Sequence, residues 1–256
     1  MQRMRVTTIY LLLVIVIAGS AGVGVAQQQY DLSTDSDVSV PSRTVERLGG
    51  TFEISAVAKA DPGDTLDVSI DAPDTNVTVT IFDSDQQRVE TPVINSQTSS
   101  FQETLESANY SAGTYGMVLT DVDAGGRAEA AHPILIRGYE VNNPSVSDTS
   151  VTAGTDVTLS ADIQKLRGDD GTTVEFVLAN ENTRHVETSS IDGDGEYSAT
   201  FETGDLSGSY EAIASVRGSD TVLGQKERLG VGVVSGSDDL TVSEPEDTAT
   251  ESGGGG

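Results

Sequence analysis

The feature that most constrains the fold of this chain is an internal repeat. The segments SAGTYGMVLTD and LSGSYEAIASV both place small residues and a tyrosine ahead of an apolar stretch. Counting this tyrosine, four pairs of residues match in the same order along the chain. The pairs are Gly63 with Gly154 (91 residues apart), Thr78 with Thr173 (95), Phe101 with Tyr197 (96) and Tyr115 with Tyr210 (95). Solenoid repeats are about 20–50 residues long, so this longer spacing predicts two tandem domains.

Each copy of the repeat carries the alternation of half-buried β-strands. In EYSATFE, for example, Tyr197, Ala199 and Phe201 point to one face and polar residues to the other. Turn signals recur about every 8–12 residues, which is typical of an immunoglobulin-like sandwich. We therefore predict an all-β protein with two tandem immunoglobulin-like β-sandwiches, residues 43–142 and 143–235. Because the linker at YEVNNPSV is short, we expect them to stack end to end as a rod.

The first 26 residues have the composition of an export leader. Two arginines precede the apolar segment Ile9–Ala18, and small residues follow up to Ala26. This order is typical of a signal peptide cleaved after Ala26. An uncleaved anchor helix is the alternative, because Ile9–Ala26 is 18 uncharged residues and a membrane span needs roughly 17–25. Either interpretation predicts an extracellular protein, with an exposed N-terminal segment over residues 27–42.

The charge of the chain restricts its partners. Asp and Glu number 41 against 14 Lys and Arg, a formal net charge of −27. Nucleic-acid binding requires clustered cationic residues, so this class of partner is excluded. Abundant β-branched residues argue against overall disorder, so the acidity indicates adaptation to high salt, where charge repulsion is screened within about 3 Å at 1 M. The absence of cysteine excludes disulfides and thiolate metal sites.

The composition changes after Ser235. Residues 236–256, GSDDLTVSEPEDTATESGGGG, are acidic, rich in Ser and Thr, and end in glycines. This composition predicts a disordered tail.

Few residues could support catalysis or metal binding. Neither His132 nor His185 has a carboxylate or a second histidine at ligand spacing, so both are interpreted as surface or strand-end residues. The DGDGE segment (Asp192–Glu196) has too few carboxylates for a calcium loop, and Asp-Gly favours a tight turn. We therefore predict a non-enzymatic protein with no catalytic residue, no metal site and no cofactor.

Four positions have a predicted structural or modification role. Asn76 and Asn109 begin Asn-x-Thr and Asn-x-Ser acceptors for N-glycosylation. Tyr115 and Tyr210 each follow a small-residue turn at the entry to a late strand. This is the position of a tyrosine corner, whose hydroxyl bonds to the backbone a few residues upstream. Ligand stacking by these tyrosines is the alternative interpretation.

The leader, the acidic strands such as VTAGTDVTLSADI, the two acceptors and the acidic stalk together resemble haloarchaeal cell-surface and S-layer-type glycoproteins. The resemblance implies a structural, spacer or adhesion role, with other cell-surface proteins or glycans as partners. Proteins of this kind often end in an apolar anchor, which the last residues of this chain do not show. Attachment is therefore expected through the N-terminal helix, through a partner, or not at all, unless the chain continues further.

Two alternative functions remain open. A module that binds a polysaccharide or a solute is expected to expose an aromatic platform, whereas this chain has no Trp and only 5% aromatic residues. The ectodomain of a membrane complex, held by an uncleaved N-terminal helix, is the second alternative.

The leader generates a first prediction. We expect the intact mass of the protein from cells grown in high salt to lack residues 1–26, because small residues occupy the positions before the cleavage site. Added hexose increments would identify a glycoprotein. A full-length mass confined to the membrane fraction would contradict cleavage and support the anchor.

Overall fold

The computed structural model describes residues 30–47, 50–72, 76–90, 93–94, 100–104, 110–123, 125–223, 225–234 and 240–244. All helical or strand structure in these residues is β-strand, which confirms the all-β class. Among them there is accordingly no helix that could span a membrane. The predicted leader, residues 1–26, lies outside the described residues.

The first half of the chain forms two sheets. The smaller contains β1 (Asp31–Thr34), β4 (Thr65–Asp71) and β8 (Ser100–Thr104), in the order β1-β4-β8. The larger contains β2 (Asp37–Arg47), β3 (Gly50–Ala60), β5 (Val77–Phe82), β6 (Arg88–Glu90), β7 (Val93–Ile94), β9 (Gly113–Asp121) and β10 (Arg127–Ile136). Its order is β2-β3-β10-β9-β5-β6, with β7 also paired to β5. Only β3 and β10 pair in parallel among these strands.

The second half also forms two sheets. The smaller contains β11 (Tyr139–Val146), β13 (Val157–Lys165) and β16 (Gly195–Phe201), in the order β11-β13-β16. The larger contains β12 (Ser150–Thr152), β14 (Thr173–Ala179), β15 (Arg184–Ser190), β17 (Gly208–Val222), β18 (Gln225–Val233) and β19 (Leu240–Ser243). Its order is β12-β19-β17-β14-β15, with β18 also paired to β17.

The two halves share a pattern of strand pairing. β4 pairs with β8 as β13 pairs with β16, and β5 pairs with β9 as β14 pairs with β17. The antiparallel pair β9–β10 has its counterpart in β17–β18. Tyr115 and Tyr210 occupy equivalent strands, β9 and β17. The sequence repeat therefore corresponds to a repeated set of strand pairings.

Each half has a hydrophobic core that draws on both of its sheets. In β4 the alternation of TLDVSID buries Leu66, Val68 and Ile70, which pack with Met117 of the larger sheet. In the second half Phe176 and residues of β13 and β16 belong to a corresponding cluster. Full burial of a side chain of this size contributes roughly 1.5–3 kcal/mol. The apolar burial that follows from the alternation of each strand is therefore the main source of stability.

Two predicted boundaries at the start of the halves are wrong. Residues 27–42 are predicted to be an exposed segment, but its described part, residues 30–42, supplies β1 and the start of β2, where Leu32 and Val40 are buried. The predicted division between residues 142 and 143 lies inside β11, whose Tyr139 and Val141 pack in the second core. Both boundaries depend on which sheet a strand joins, and that choice is made by distant partners.

The predicted disordered tail, residues 236–256, contains a strand. Leu240 and Val242 of β19 are 0% and 2% exposed and pack in the second core. β19 pairs in parallel with β12 and antiparallel with β17. A strand of four residues with two apolar positions has little periodicity. The acidic composition around it therefore predicts disorder even though the strand is buried.

Because the two halves pack side by side, the predicted end-to-end rod is wrong. The contact is a cluster of seven buried residues, which are Val40, Val57, Leu135, Val177, Ala179, Ile213 and Val231. Leu135 alternates with Ile134 and Ile136, which face the first core, so it projects from the opposite face of its sheet. The larger sheets are therefore apolar on both faces at this contact.

β19 generates a second prediction. We expect Leu240→Ala to lower the free energy of unfolding by about 2–5 kcal/mol, because it leaves a cavity in the second core. Thr241→Ala changes an exposed side chain of the same strand and should cost less than about 0.5 kcal/mol. Thermal unfolding in high salt measures both, and equal midpoints for the two variants would contradict the burial of β19.

Candidate functional site

The contact between the halves begins with β14, a strand whose two faces are both covered. Val174, Phe176 and Leu178 pack in the core of the second half, and Val177 and Ala179 pack against the first half. TVEFVLA is therefore almost continuously apolar, as expected for a strand buried on both faces. Its single charged residue lies on the face that meets the first half.

That residue, Glu175, is the carboxylate of an ionic cluster in which Arg217 and Arg228 are buried and Arg184 is exposed. Its Oε1 accepts hydrogen bonds from Arg217 Nη2 at 2.5 Å and Arg217 Nε at 3.2 Å, and from Arg184 Nη2 at 3.0 Å. The side chain of Arg217 is only 5% exposed. Burial by itself would raise the pKa of Glu175, but the charge and hydrogen bonds of Arg217 and the charge of Arg184 together outweigh it, so the pKa is lowered. Glu175 therefore stays ionised at the contact.

Two further arginines complete the cluster. Arg228 of β18 is buried, and Arg43 reaches the cluster from β2 of the first half. Burial, together with the charges of Arg217 and Arg184, lowers the pKa of Arg43 to about 10. Four of the 14 basic residues thus gather at one contact. No local motif in the sequence marks these arginines, although a charged residue within an apolar strand, such as Arg217 in IASVRGSD, is a signal of a site.

Polar contacts tie β18 to the first half beside this cluster. The hydroxyl of Thr114 donates to the carbonyl of Arg228 at 2.7 Å and accepts the N–H of Arg228 at 2.7 Å. Lys59 Nζ donates to the carbonyl of Val231 at 3.3 Å. Backbone groups of a strand edge must find partners when they are buried, and here the other half supplies them.

A groove of about 530 Å³ opens where the two halves meet. Its polar lining includes Ser42, Ser55, Asn180, Glu181 and Glu211. Hydroxyl, amide and carboxylate groups of this kind hydrogen-bond to sugar hydroxyls or other polar solutes. Tyr210 is the aromatic residue in this lining, and it is only 4% exposed, so it does not present a stacking platform.

The two tyrosines identified in the sequence each contact the backbone upstream. The hydroxyl of Tyr115 accepts the N–H of Ser111 at 2.9 Å and lies 3.2 Å from the carbonyl of Ser111. The hydroxyl of Tyr210 accepts the N–H of Ser207 at 3.3 Å. These contacts orient the turn that precedes β9 and the turn that precedes β17.

One of the two predicted glycan acceptors lies within the described residues. Asn76 is exposed, and its main-chain N–H and its side-chain Nδ2 both donate to Asp123 Oδ2 at 3.0 Å. Asn109 lies outside the described residues. Glycosylation at either residue stays a prediction.

The interpretation of His132 as a surface or strand-end residue is wrong. His132 is 5% exposed, and its Nε2 lies 2.8 Å from Asp37 Oδ1. Burial alone would raise the pKa of Asp37, but the hydrogen bond and charge of His132 and the hydrogen bonds from Thr34 together outweigh it, so the pKa is lowered. Local spacing could not reveal a partner that is 95 residues away. The rings of His185 and Tyr210 pack in a T-shaped arrangement, with centroids 6.0 Å apart.

Two of the three carboxylates of the DGDGE segment form hydrogen bonds within the fold. Asp194 Oδ1 accepts the N–H of Lys165 at 2.7 Å, and Asp192 Oδ1 accepts the hydroxyl of Tyr197 at 2.8 Å. The segment connects β15 to β16. Over the described part of the chain, no group of three or more His, Asp or Glu side chains is arranged to hold a metal ion.

Known proteins resemble this chain only at low similarity. Neither a family model nor a curated protein matches the sequence. Among solved structures, part of a 1.5-MDa bacterial ice-binding adhesin is 15% identical over 73% of this chain and 61% of that chain, with a TM-score of 0.27. The BSP domain of a biofilm-associated protein is 16% identical over 80% of this chain and 30% of that chain, with a TM-score of 0.24. TM-scores this low assign neither a fold family nor a function.

Glu175 generates a third prediction. We expect Glu175→Gln to lower the free energy of unfolding at neutral pH by about 3 kcal/mol, because it leaves buried arginines without their carboxylate. Glu187→Gln, on the exposed face of β15, is the matched control. Urea unfolding in high salt measures both variants.

The same pair tests the pH dependence. A lowered pKa means that Glu175 stabilises the folded state above its unfolded value near 4.5, and that this contribution is lost as the pH falls through the folded value. The stability difference between wild type and Glu175→Gln should therefore shrink in acid. A difference independent of pH would show that ionisation of Glu175 is not what stabilises the cluster.

Proposed function

We propose that this chain is a non-enzymatic extracellular protein of a halophilic archaeon, in which two immunoglobulin-like sandwiches form one structural, spacer or adhesion body. The observation that carries the proposal is the buried contact between the halves. Each of its seven apolar residues is at most 5% exposed. Domains that move independently usually meet through small, polar contacts. A contact this apolar supports a body that holds its two halves in one orientation.

A fixed orientation is useful to a surface protein that bridges partners or bears load. The halves then present their outer surfaces at a constant distance and angle, without the entropy that a flexible linker would lose on binding. The partners that we propose are other cell-surface proteins or glycans. An acidic exterior would keep such a body soluble and separate from its neighbours in concentrated salt.

The finer assignments belong to the same proposal. The leader pattern supports export, either with cleavage after Ala26 or with an N-terminal membrane anchor. Tyr115 and Tyr210 act as tyrosine corners, and the exposed Asn76, whose Nδ2 donates to Asp123, carries a glycan. The S-layer and halophilic assignments rest on composition, since acidic residues outnumber basic ones by 41 to 14.

The groove between the halves favours a second candidate function, the binding of a polysaccharide or polar solute. Its polar lining and its volume of about 530 Å³ suit a ligand of several sugar units. Binding there would depend on hydrogen bonds, since Tyr210 is buried. A glycan array in high salt distinguishes the two functions: a saturable ligand lost with Asn180→Ala favours the groove.

The proposal generates a fourth prediction, on Val177→Asp. This substitution places a charge in the apolar contact and should separate the halves, because an unpaired buried charge is costly. Val186→Asp is the matched control, since Val186 is 41% exposed on the paired strand β15. We expect small-angle scattering in high salt to show a larger radius of gyration for Val177→Asp and an unchanged radius for Val186→Asp. Circular dichroism checks that each half of the variant stays folded.

A complementation experiment, in cells that lack the gene and carry each variant, tests the function. We expect wild type and Val186→Asp to restore cell-surface integrity and adhesion, and Val177→Asp to reach the surface without restoring them. Protease treatment of intact cells establishes the location. An internal location, a substrate turned over by one mutable site, or full rescue by Val177→Asp would each overturn the proposal.

A further inference from the structure

The cluster at the contact between the halves carries more positive charge than it neutralises. Arg43, Arg184, Arg217 and Arg228 lie close enough to influence one another, with Glu175 as the carboxylate among them. Guanidinium groups keep their protons in proteins. Arg217 and Arg228 are moreover direct register partners on β17 and β18, and like charges placed opposite each other in a sheet are destabilising.

Part of this cluster lacks hydrogen-bond partners. Nε and Nη1 of Arg43 and Nε of Arg228 are buried and have no partner within the protein. Arg228 as a residue is only 9% exposed. A buried donor left unsatisfied costs about 1–3 kcal/mol, and a charged one costs more. The folded chain therefore offers three buried donors, all on cationic groups, to something outside its own atoms.

The two arginines that carry these donors line a small cavity between the halves. Arg43, Arg217 and Arg228 line it together with Lys226 and apolar residues such as Val57 and Pro133, and the lining contains no carboxylate. Its volume is about 20 Å³, whereas one water requires about 10–15 Å³ by the same measure. The cavity therefore accommodates a single monatomic ion or one water molecule, and it is too small for a phosphate, a sulfate or a side-chain carboxylate.

We propose that this cavity is a halide site, occupied by chloride, that joins the two halves of the protein. Arg43 approaches from the first half and Arg228 from the second, so the ion accepts hydrogen bonds from both. A water molecule also accepts hydrogen bonds, but it brings no charge to offset the excess of guanidinium groups. A chloride ion satisfies the donors and reduces the repulsion between Arg217 and Arg228 in one step.

The site makes the stability of the contact depend on chloride. An ion that binds the folded state stabilises it in proportion to the logarithm of its concentration once the site begins to fill. This dependence is separate from general screening by salt, which does not distinguish one monovalent anion from another of the same ionic strength. The proposal concerns ion binding and holds whether or not the protein serves at a cell surface.

Thermal unfolding at constant ionic strength tests the site in solution. We expect the Tm of the wild type to be several degrees higher in sodium chloride than in sodium gluconate, because gluconate is too large for the cavity. Arg43→Met removes donors and charge, and should abolish most of this difference while losing little stability in gluconate. Arg127→Met, with a side chain that is 68% exposed, is the control and should retain the full difference.

Crystals grown in sodium bromide test the site directly. The proposal expects an anomalous bromide peak within hydrogen-bonding distance of Arg43 and Arg228 in the wild type. A water in the cavity without anomalous signal would overturn it, as would the same chloride-dependent Tm difference in wild type and Arg43→Met. The wild-type crystal decides the question even where Arg43→Met does not fold.

Discussion

The contact between the outer faces of the two larger sheets is the constraint on which the rest of the molecule depends. It requires β14 and β17 to be apolar on both faces, because each strand contributes to the core of its own half and to the contact with the other. Phe176 and Val177, adjacent in sequence, serve these two environments. A change on either face of such a strand therefore affects both the second core and the orientation of the halves.

Hydrogen bonds that cross between the halves give this apolar contact its specificity. Apolar surfaces alone can slide, whereas Lys59 Nζ of the first half donates to the carbonyl of Val231 in the second at 3.3 Å. The paired hydrogen bonds of Thr114 with Arg228 set the position of β18 against β9. Directional contacts of this kind define one register, and burial around them makes departures from it costly.

The two copies of the repeat differ in the length of one strand and of the hairpin that it forms. β9 and β17 occupy equivalent places, but β17 continues to Val222 and forms a long hairpin with β18. The tip of this hairpin reaches the first half, where a Cβ on Gly116 would lie 3.2 Å from Leu223. The equivalent hairpin β9–β10 makes no matching extension over the described residues, since β9 ends at Asp121. One copy thus supplies a projecting element, and the other supplies the surface that it contacts.

The sequence by itself determined the all-β class, the duplication and the alternation of individual strands, because these depend on short-range patterns and on turn residues. EYSATFE predicts the face on which Tyr197 and Phe201 are buried without knowledge of any partner. Only the tertiary structure decided which distant segments meet. The pairing of His132 with Asp37, the strand hidden in the acidic tail, the side-by-side contact and the arginine cluster all join residues far apart in the chain. Burial, charge and hydrogen bonding at such places are set by three-dimensional neighbours, and a linear pattern does not record them.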